Sequence, residues 1–356
     1  MLTPDFPPAH GGIQVLVHRL ALALTGFEVE VVTLASPGAR GFDSERELAV
    51  RRVGAERRGR HARVLALNAA ALSRALRFRP DVTLSAHVVT SPAASWIRRL
   101  LGARTAQYFY ANEVLGKPRL SAFAAARADV VIAISAYTAS LIAATGASPS
   151  NLWLIPPGVD LPGEPATLAA ERPTVLTIAQ LKHSYKGHDV MLQALAGVRA
   201  RVPDVEWVVI GEGPLRPGLE ELASSRGLTG AVRFLGAVPD EERDRWLRRA
   251  DVFAMPSRLP GEGFGIALME ASAHGKPVVA GNVAGPLDAV ADGVSGLLVD
   301  PTDPGEVGEA VAALLLDREL AERLGRGGAE RARDFAWPVI ARRVEAALLE
   351  PTGGVR

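Results

Sequence analysis

Cysteine is absent from this sequence of 356 residues. Disulfide bonds, thiolate zinc sites and cysteine nucleophiles are therefore excluded, and the composition fits a reducing compartment. The amino terminus has no basic region followed by an apolar core, and no later segment approaches the length that spans a membrane. We therefore expect a cytoplasmic globular protein.

Several ligand-binding motifs are missing as well. The GK at 275–276 resembles the end of a phosphate loop, but Glu270 and Pro277 stand where that loop needs Gly and Ser or Thr. GEGPLRPG (211–218) fails the GxGxxG spacing of dinucleotide-binding turns. Neither Asp-x-Asp nor a His/Asp cluster with metal-ligand spacing occurs. We expect no metal, no cofactor and no nucleic acid partner.

Apolar residues are plentiful, at 48% of the chain. This is ample material for packed cores, and a chain of this length exceeds the usual size of a single core. Two domains that share a cleft are the natural expectation, with a ligand site between them.

Short β-branched runs alternate with longer amphipathic segments, which predicts parallel βαβ units and an α/β fold. The expected strands are VEVVT, DVTLSAH, TAQYFY and DVVIAIS in the first half, then TVLTIA, VEWVVIG, VRFLG, DVFAMP and PVVAG. We predict an N-terminal domain over 1–160, a linker over 161–172 in a Pro/Gly-rich stretch, and a C-terminal domain over 173–337. A final helix over 338–356 is expected to return to the N-terminal domain. The first strand is expected to be truncated, since only MLT precedes PDFPP.

Charge is uneven along the chain although the net charge is +1. Residues 1–160 hold 18 Lys and Arg against 11 Asp and Glu, and the remainder holds 22 against 28. Much of the excess lies in one run before the helical segment LALNAAALSRALRF: Arg51, Arg52, Arg57, Arg58, Arg60 and Arg63. This run indicates either a solvated basic face or docking on anionic lipid or on an acidic acceptor.

The stretch EGFGIALMEASAHGKPVVAG (262–281) combines a loop, a predicted helix over 264–274 and a strand. Glu262 is predicted in the loop, and Glu270 about two turns inside the helix, roughly 12 Å away along the axis. Gly263 and Gly265 allow close backbone approach at the helix start, which suits a diphosphate. The two carboxylates are then placed to hold hydroxyls at opposite ends of one ligand. Taken alone, the same pattern also fits surface glutamates.

Other motifs occur in order along nearly the whole chain: PDFPPAHGGIQ (4–14), Ser135, PPGVD (156–160), YKGHD (185–189), GEGP (211–214), FLG (234–236) and FAW (335–337). Together with 262–281 they resemble the signature of glycosyltransferase family 4. The resemblance implies the GT-B fold, with two Rossmann-like parallel-sheet domains facing each other across a cleft. It also implies retaining transfer of a sugar from a nucleotide diphosphate sugar to an acceptor hydroxyl, without a metal.

The resemblance assigns roles to matching positions. Lys186 is implied to neutralise the diphosphate, Glu262 to lie beside the donor sugar, and Glu270 to hold the ribose. The remaining positions implied to bind the donor are Gly11, Gly12, Gly211, Val238, Gly263, Phe264, Gly265 and Ile266. Of the residues above, Lys186 and Glu262 are expected to act in catalysis.

Two positions depart from the family pattern. Ala179-Gln180 stands where the family usually has Gly-Arg, so Gln180 is expected in the donor site without the charge that offsets phosphate. Asn112 stands where the family often has a histidine near the sugar, so a hydrogen bond is expected there rather than proton handling. His87, at the end of a strand, is a further catalytic candidate that fits a structural histidine equally well.

We therefore predict a retaining glycosyltransferase in which the departing phosphate takes the acceptor proton during front-face attack. Double displacement is the second mechanism. A nucleotide-sugar 2-epimerase, which needs no acceptor, and a non-catalytic nucleotide-sugar binder are the alternative functions. The acceptor is open among lipid, glycan and small molecule. Contact with an anionic membrane through the basic N-terminal half is a further possibility.

Overall fold

The structure, a computed structural model, describes residues 1–9, 11–44, 48–54, 59–163, 168 and 171–350. The chain divides into two compact units. Unit 1 comprises Met1–Gly158 and the segment from Trp337 onward, and unit 2 comprises Val159–Ala336. Of the predicted linker over 161–172, residues 164–167, 169 and 170 lie outside the described residues, and the others belong to unit 2.

Unit 1 contains parallel strands, which pair as β1-β2 and as β3-β4-β5-β6. The strands are β1 Glu30–Leu34, β2 Ala49–Val53, β3 Val82–Ser85, β4 Arg104–Phe109, β5 Val130–Ala133 and β6 Leu152–Leu154. Leu2 forms bridges to Val32 of β1 and to Ser85 of β3, so residues at the amino terminus join the two sets of strands. With Leu2 counted first, the order follows the doubly wound Rossmann pattern.

Helices cover both faces of these strands. They are α1 Gly12–Ala23, α2 Ala39–Ser44, α3 Arg60–Phe78, α4 Ser91–Leu101, α5 Ala111–Gly116, α6 Pro118–Arg127, α7 Ala136–Ala144 and, after unit 2, α15 Trp337–Leu349. α15 lies on unit 1. The Glu345 carboxylate accepts a 2.9 Å hydrogen bond from the Gly26 N–H, and Arg343 donates to the Leu154 carbonyl at 2.7 Å.

Unit 2 has a parallel sheet whose strand order in its described part is β12-β11-β10-β7-β8-β9. The strands are β7 Thr174–Ile178, β8 Glu206–Ile210, β9 Val232–Gly236, β10 Val252–Met255, β11 Val278–Gly281 and β12 Leu297–Val299. This is the classical order of a doubly wound sheet, in which the direction of winding reverses between β7 and β10. The helices are α8 His188–Arg201, α9 Arg216–Ser225, α10 Asp240–Arg249, α11 Ile266–Ala273, α12 Pro286–Ala289, α13 Pro304–Leu316 and α14 Arg318–Ala332.

The central strands of unit 2 are buried on both faces, as their runs of Val, Ile and Trp require. Trp207 of β8 is fully buried, and its indole N–H donates to the Thr177 hydroxyl at 2.9 Å. That hydroxyl in turn donates to the Ala254 carbonyl at 2.6 Å. These bonds tie β8, β7 and β10 together and fix the strand ends that carry the site described below.

The expected strands all occur, with ends shifted by a residue or two, but three others were missed. β2, β6 and β12 are short or partly exposed and therefore lack a continuous apolar run. The amino-terminal segment contributes only isolated bridges at Leu2.

The arginine run is not one free basic face. Arg51 and Arg52 lie in strand β2, and Arg52 pairs with Asp43 at 2.8 Å. Arg63 donates to the Ala35 carbonyl at 2.6 Å. Arg57 and Arg58 lie outside the described residues. Within the described part of the chain, no helix has both the length and the apolar character needed to cross a membrane.

Candidate functional site

The reversal of winding between β7 and β10 places two loops side by side in unit 2. Residues 179–187 follow β7, and residues 256–265 follow β10. In open α/β sheets, ligands bind beyond the carboxyl ends of the strands at this kind of position. The predicted donor residues Gln180, Lys186, Glu262 and Gly263 all lie in these two loops.

Lys186 and Glu262 meet where the two loops converge. The Lys186 Nζ lies 2.5 Å from the Glu262 Oε2, and the Ser257 hydroxyl donates to the same oxygen at 3.1 Å. The Glu262 side chain is 9% exposed and that of Lys186 is 19% exposed. A buried carboxylate is therefore held by one cation and one hydroxyl.

Burial on its own lowers the pKa of Lys186, but the neighbouring Glu262 carboxylate and Tyr185 outweigh it, so the net pKa is raised. Lys186 consequently carries its positive charge at neutral pH. A protonated lysine at the carboxyl edge of the sheet is suited to binding an anionic ligand such as a diphosphate.

Helix α11 begins at Ile266, directly after this pair. Gly265 adopts φ 97°, and within the described residues no side chain caps the first amides, which leaves them available to an anion. Gly285 packs against the backbone here, since a Cβ on it would lie 2.2 Å from the Gly263 carbonyl carbon. The Gly285 N–H also donates to the Glu262 carbonyl at 3.2 Å. Gly285 thus fixes the backbone of this loop from one side.

Glu270 lies on α11, but its predicted depth in the helix is wrong. The helix starts at 266 rather than 264, so Glu270 is about one turn inside, roughly 6 Å from the first helical residue. The cause is Gly263 and Gly265, which keep the preceding residues in a loop conformation. The Glu270 carboxylate, 21% exposed, forms an ion pair with Arg243 of α10. Gly275, with φ 69°, ends the helix as predicted.

Gln180 is exposed at the end of β7, and the GEGP turn packs directly against this segment. Gly211 has φ 143°, and a Cβ at this position would meet the Ala179 carbonyl oxygen at 2.0 Å. Only glycine allows the two loops to approach this closely. Gly211 therefore positions Gln180 through the backbone rather than through a side chain of its own.

Three basic residues of these two loops are candidates to replace the missing arginine. Arg258 forms a bidentate pair with Asp189, with closest contact 3.0 Å, so its charge is already balanced. His183 stacks on Tyr185, and burial lowers its pKa, which keeps the imidazole neutral at pH 7. Lys182 is exposed. Of the three, Lys182 alone offers an accessible charge.

We expect Gln180→Arg to tighten binding of a nucleoside diphosphate at least about tenfold. A hydrogen bond to a charged group contributes about 1.5–3 kcal/mol, and about 1.4 kcal/mol is a factor of ten. Titration calorimetry of both proteins with GDP and UDP measures the change. Gln193→Arg, at an exposed position of α8, adds the same charge away from the loop and is the control. Equal affinities for wild type and Gln180→Arg would show that another cation already fills this role.

Two other positions of unit 2 were singled out in the sequence. Val238 is half-buried in the turn between β9 and α10, at the carboxyl edge of the sheet. Lys276 of the GK pair is buried, and its Nζ donates to the Arg248 carbonyl at 2.7 Å. The ammonium of Lys276 therefore forms a hydrogen bond inside the protein, in agreement with its exclusion as a phosphate ligand.

The remaining predicted residues lie in unit 1. Gly11 and Gly12 stand at the start of α1, and His10 of the same motif lies outside the described residues. Gln14, on the first turn of α1, donates to Asp5 at 3.4 Å. Asp5 follows the Leu2 bridges and lies 3.8 Å from the His87 Nε2. The glycine turn and His87 are thus connected through Asp5 at the carboxyl edge of this sheet.

His87 is held in place by a main-chain amide. Its Nδ1 accepts a 3.2 Å hydrogen bond from the Val89 N–H and so caps the short 3-10 helix at Val88–Thr90. Burial, together with the charges of Lys117 and Arg60, lowers its pKa to about 3. A neutral imidazole with a committed Nδ1 is a weak base, and its assignment as catalytic stays a prediction. Asn112, exposed in α5, stays one too.

Glu113, the neighbour of Asn112, was not singled out in the sequence. Its side chain is 4% exposed, its Oε2 accepts from the Val88 N–H at 2.7 Å, and the same oxygen lies 3.4 Å from the His87 Nδ1. Burial and the nearby Asp5 raise its pKa well above the usual value, although the Val88 N–H and Lys117 oppose the shift. Burial of Glu113 inside unit 1 therefore favours its protonated form.

This raised pKa makes stability depend on pH. A folded-state pKa above the unfolded value stabilises the protein below the unfolded pKa, and that contribution is lost as pH rises through the folded pKa. Glu113→Gln retains an acceptor for Val88 but does not titrate. We therefore expect the thermal midpoint of the variant to rise relative to that of wild type between pH 5 and pH 8. The difference should reach a few degrees at pH 8. Exposed Glu28→Gln is the control. Parallel curves for wild type and Glu113→Gln would contradict the assignment.

The structure therefore adds four residues to those predicted at the two sheet edges: Ser257, Arg243, Asp5 and Glu113. Ser257 follows strand DVFAM and could have been found from that position. The others are visible only in the fold, because their partners are distant in sequence. Among the described residues, no group of three or more His, Asp or Glu side chains is placed to hold a metal ion.

Comparisons with known proteins agree with this architecture. A family model described as Glycosyltransferase Family 4 matches residues 10–162, and one described as Glycosyl transferases group 1 matches residues 164–331. A GDP-mannose-dependent alpha-(1-6)-phosphatidylinositol monomannoside mannosyltransferase of Mycobacterium tuberculosis (strain CDC 1551 / Oshkosh) is 34% identical over 93% of this chain and 92% of the relative. A D-inositol 3-phosphate glycosyltransferase of Nocardioides sp. (strain ATCC BAA-499 / JS614) is 37% identical over 60% of this chain and 52% of the relative.

Solved structures show the same fold. Anabaena HepE in complex with UDP and glucose superposes with a TM-score of 0.80, at 19% identity, over 98% of both chains. Sucrose-phosphate synthase from Thermosynechococcus elongatus gives a TM-score of 0.81, at 21% identity, over 97% of this chain and 96% of that one. These likenesses confirm the predicted GT-B fold. The chain belongs to glycosyltransferase family 4. The comparisons give no support to an epimerase.

Proposed function

We propose that this protein is a retaining, metal-independent mannosyltransferase that uses GDP-mannose. The observation that carries the proposal is the Lys186–Glu262 pair at the amino end of α11. The identity of the sugar and the base is supported by the mannosyltransferase relative, which matches nearly the whole chain.

In this proposal the diphosphate binds at the start of α11. Lys186 and the amides of residues 263–266 offset the charge that develops on the leaving GDP, so no metal is needed for that purpose. Glu262 contacts the mannose, and Glu270 accepts from the ribose hydroxyls. Val238 contacts the base through its main chain. The ion pair of Glu270 with Arg243 must loosen, or share an oxygen, when the ribose arrives.

Transfer proceeds on one face of the sugar. The bond between the anomeric carbon and the β-phosphate oxygen breaks as the acceptor oxygen bonds to the same face of that carbon. The acceptor proton passes to the departing phosphate oxygen, which leaves as GDP. Attack on the face that the leaving group departs from retains the anomeric configuration, and this route requires neither an enzymic nucleophile nor a covalent intermediate.

We further propose that the acceptor is a phosphoinositide-type glycolipid at the cytoplasmic face of a membrane. The support is the printed activity of the relative from M. tuberculosis, together with the positive balance of charge in residues 1–160. Anionic headgroups attract a positively charged protein surface. The acceptor identity and the membrane contact are separate parts of the proposal.

A donor and acceptor panel tests the function. Purified protein is incubated with GDP-mannose, UDP-glucose or ADP-glucose, each with a phosphatidylinositol mannoside acceptor and with or without EDTA. We expect mannosylated lipid from GDP-mannose alone, at the same rate with EDTA, and with the α-configuration of the donor by NMR. Inverted product or a trapped glycosyl-enzyme would contradict the mechanism. If the protein neither transfers nor hydrolyses the sugar of any of these donors, the result would contradict the proposed glycosyltransferase function.

A further inference from the structure

Helices α4 and α6 present an exposed surface of unit 1 that the proposed chemistry does not use. On α4, Trp96 and Leu100 are each 54% exposed and lie one turn apart, with Arg99 beside them. On α6, which packs against α4, Phe123 is 36% exposed and Arg127 follows one turn later. We name these five residues the aromatic–arginine face.

Positive charge on this face is largely unbalanced. Among the described residues that line the depression between the two helices, Asp129 is the one carboxylate, and Arg98 pairs with it at 2.7 Å. The Arg127 guanidinium lies 5.4 Å from the centre of the Phe123 ring and is exposed. Arg99 is exposed in the last turn of α4. The guanidinium groups of Arg99 and Arg127 therefore stay available to an anionic surface.

This combination of side chains matches the boundary of an anionic bilayer. Tryptophan and phenylalanine place an apolar ring at the headgroup level, and arginine extends its apolar stem towards lipid while its charged end contacts phosphate. An acidic protein surface would satisfy the charges but leave Trp96, Leu100 and Phe123 without an apolar phase. Charge and apolar character together therefore favour lipid as the occupant.

We propose that the aromatic–arginine face docks unit 1 on an anionic membrane. Trp96, Leu100 and Phe123 enter the interfacial layer, and Arg99 and Arg127 contact lipid phosphates. The proposal rests on the membrane contact proposed above and assigns it to α4 and α6 rather than to the arginine run of the sequence.

Several cations of the arginine run and of α3 are committed to internal contacts. Arg52 and Arg63 are committed to Asp43 and to a main-chain carbonyl, as described above. On α3, Arg74 forms a bidentate pair with Glu30 at 2.6 Å. Leu76 and Arg77 of α3 are nonetheless exposed. They supply a matched leucine and arginine for a control variant.

Vesicle sedimentation tests the docking surface with the full chain. Wild type, Arg99→Glu/Leu100→Ser and the control Leu76→Ser/Arg77→Glu are mixed with vesicles of phosphatidylcholine, alone or with phosphatidylglycerol. We expect wild type and control to sediment with the anionic vesicles, and the α4 variant to bind at least about tenfold more weakly. One arginine near an anionic surface contributes about 1 kcal/mol, a factor of about five, and reversal of its charge adds to the loss. Binding should weaken at high salt.

A second measurement locates the ring. Lipids brominated in the acyl chain should quench tryptophan emission of wild type, whereas Trp96→Phe should bind vesicles but lose most of the quenching. This variant keeps an apolar ring, so its folding is not at issue. Equal quenching in both proteins would place another surface against the membrane and overturn the proposal.

The remaining outcomes separate the two proposals. If wild type does not bind anionic vesicles, both the membrane contact and its assignment to this face fail, while donor hydrolysis still reports on the enzyme. If wild type binds and the α3 control loses binding instead of the α4 variant, the membrane contact stands and the face proposed here is wrong. Hydrolysis of GDP-mannose in water should be unchanged in the α4 variant, because its residues lie outside the donor site.

Discussion

Lys186→Ala is expected to lower kcat about 10²–10³-fold with a nucleotide-sugar donor. Lys186 is the cation that pairs with Glu262 between β7 and β10, and in the proposed site its loss removes one preorganised charge from the leaving diphosphate. The same substitution leaves Glu262 buried with Ser257 as its remaining partner from this pair of loops. We expect binding of GDP to weaken together with turnover.

Steady-state kinetics of GDP release, with calorimetry of GDP binding, measure both effects. Lys182→Ala removes the exposed lysine of the same loop and should cost less than Lys186→Ala, since solvent screens its charge. Thermal melting controls for the buried carboxylate. A Lys186→Ala protein that is folded and turns over at the rate of wild type would remove Lys186 from the donor site.

Glu262→Gln is expected to reduce kcat about 10²-fold with a smaller change in the binding of GDP. Glutamine keeps an oxygen that accepts from Lys186 and Ser257, so the loop geometry should persist. The substitution nevertheless removes a negative charge that the proposed site places beside the anomeric carbon, where positive charge develops as the leaving group departs. The effect should therefore fall on turnover rather than on nucleotide affinity.

The pH profile of Glu262→Gln gives an independent test. The Glu262 carboxylate helps to raise the pKa of Lys186 against the effect of burial. Without it, Lys186 loses its proton at a lower pH, so the decline of activity on the basic side should begin at a lower pH than in wild type. Ser257→Ala removes a neutral partner of Glu262 and should leave that limb in place. An unchanged basic limb in Glu262→Gln would contradict the coupling of the two residues.

Much of the structure around the proposed donor site in unit 2 could be predicted from local sequence. The strand of buried residues before Ser257 and the αL glycine at 275 each act within a few residues, and each has the predicted effect. The start of α11 was misplaced because the apolar Phe264 continues the helical pattern, whereas the flanking glycines keep it in the loop. At Phe264, the conformational freedom of the flanking glycines outweighed the helical periodicity of the apolar side chains.

The partners of the charged residues could not be predicted. Arg243 reaches Glu270, and Glu113 reaches His87, only after strands distant in sequence have paired. The arginine run shows the same limit. Its composition indicates a basic surface, but Arg52 forms an ion pair with Asp43 and donates hydrogen bonds to main-chain carbonyls. Charge counts along a sequence do not register such pairing, and exposed surfaces such as that of α4 and α6 emerge only from packing.

The central claim is that the loops after β7 and β10 bind a nucleoside diphosphate at the start of α11. A crystal structure of the protein soaked with GDP tests it most directly. We predict the β-phosphate within hydrogen-bond distance of the Lys186 Nζ and of amides in 263–266, with a ribose hydroxyl on Glu270 in place of Arg243. GDP bound elsewhere, with the Lys186–Glu262 and Arg243–Glu270 pairs intact, would contradict it.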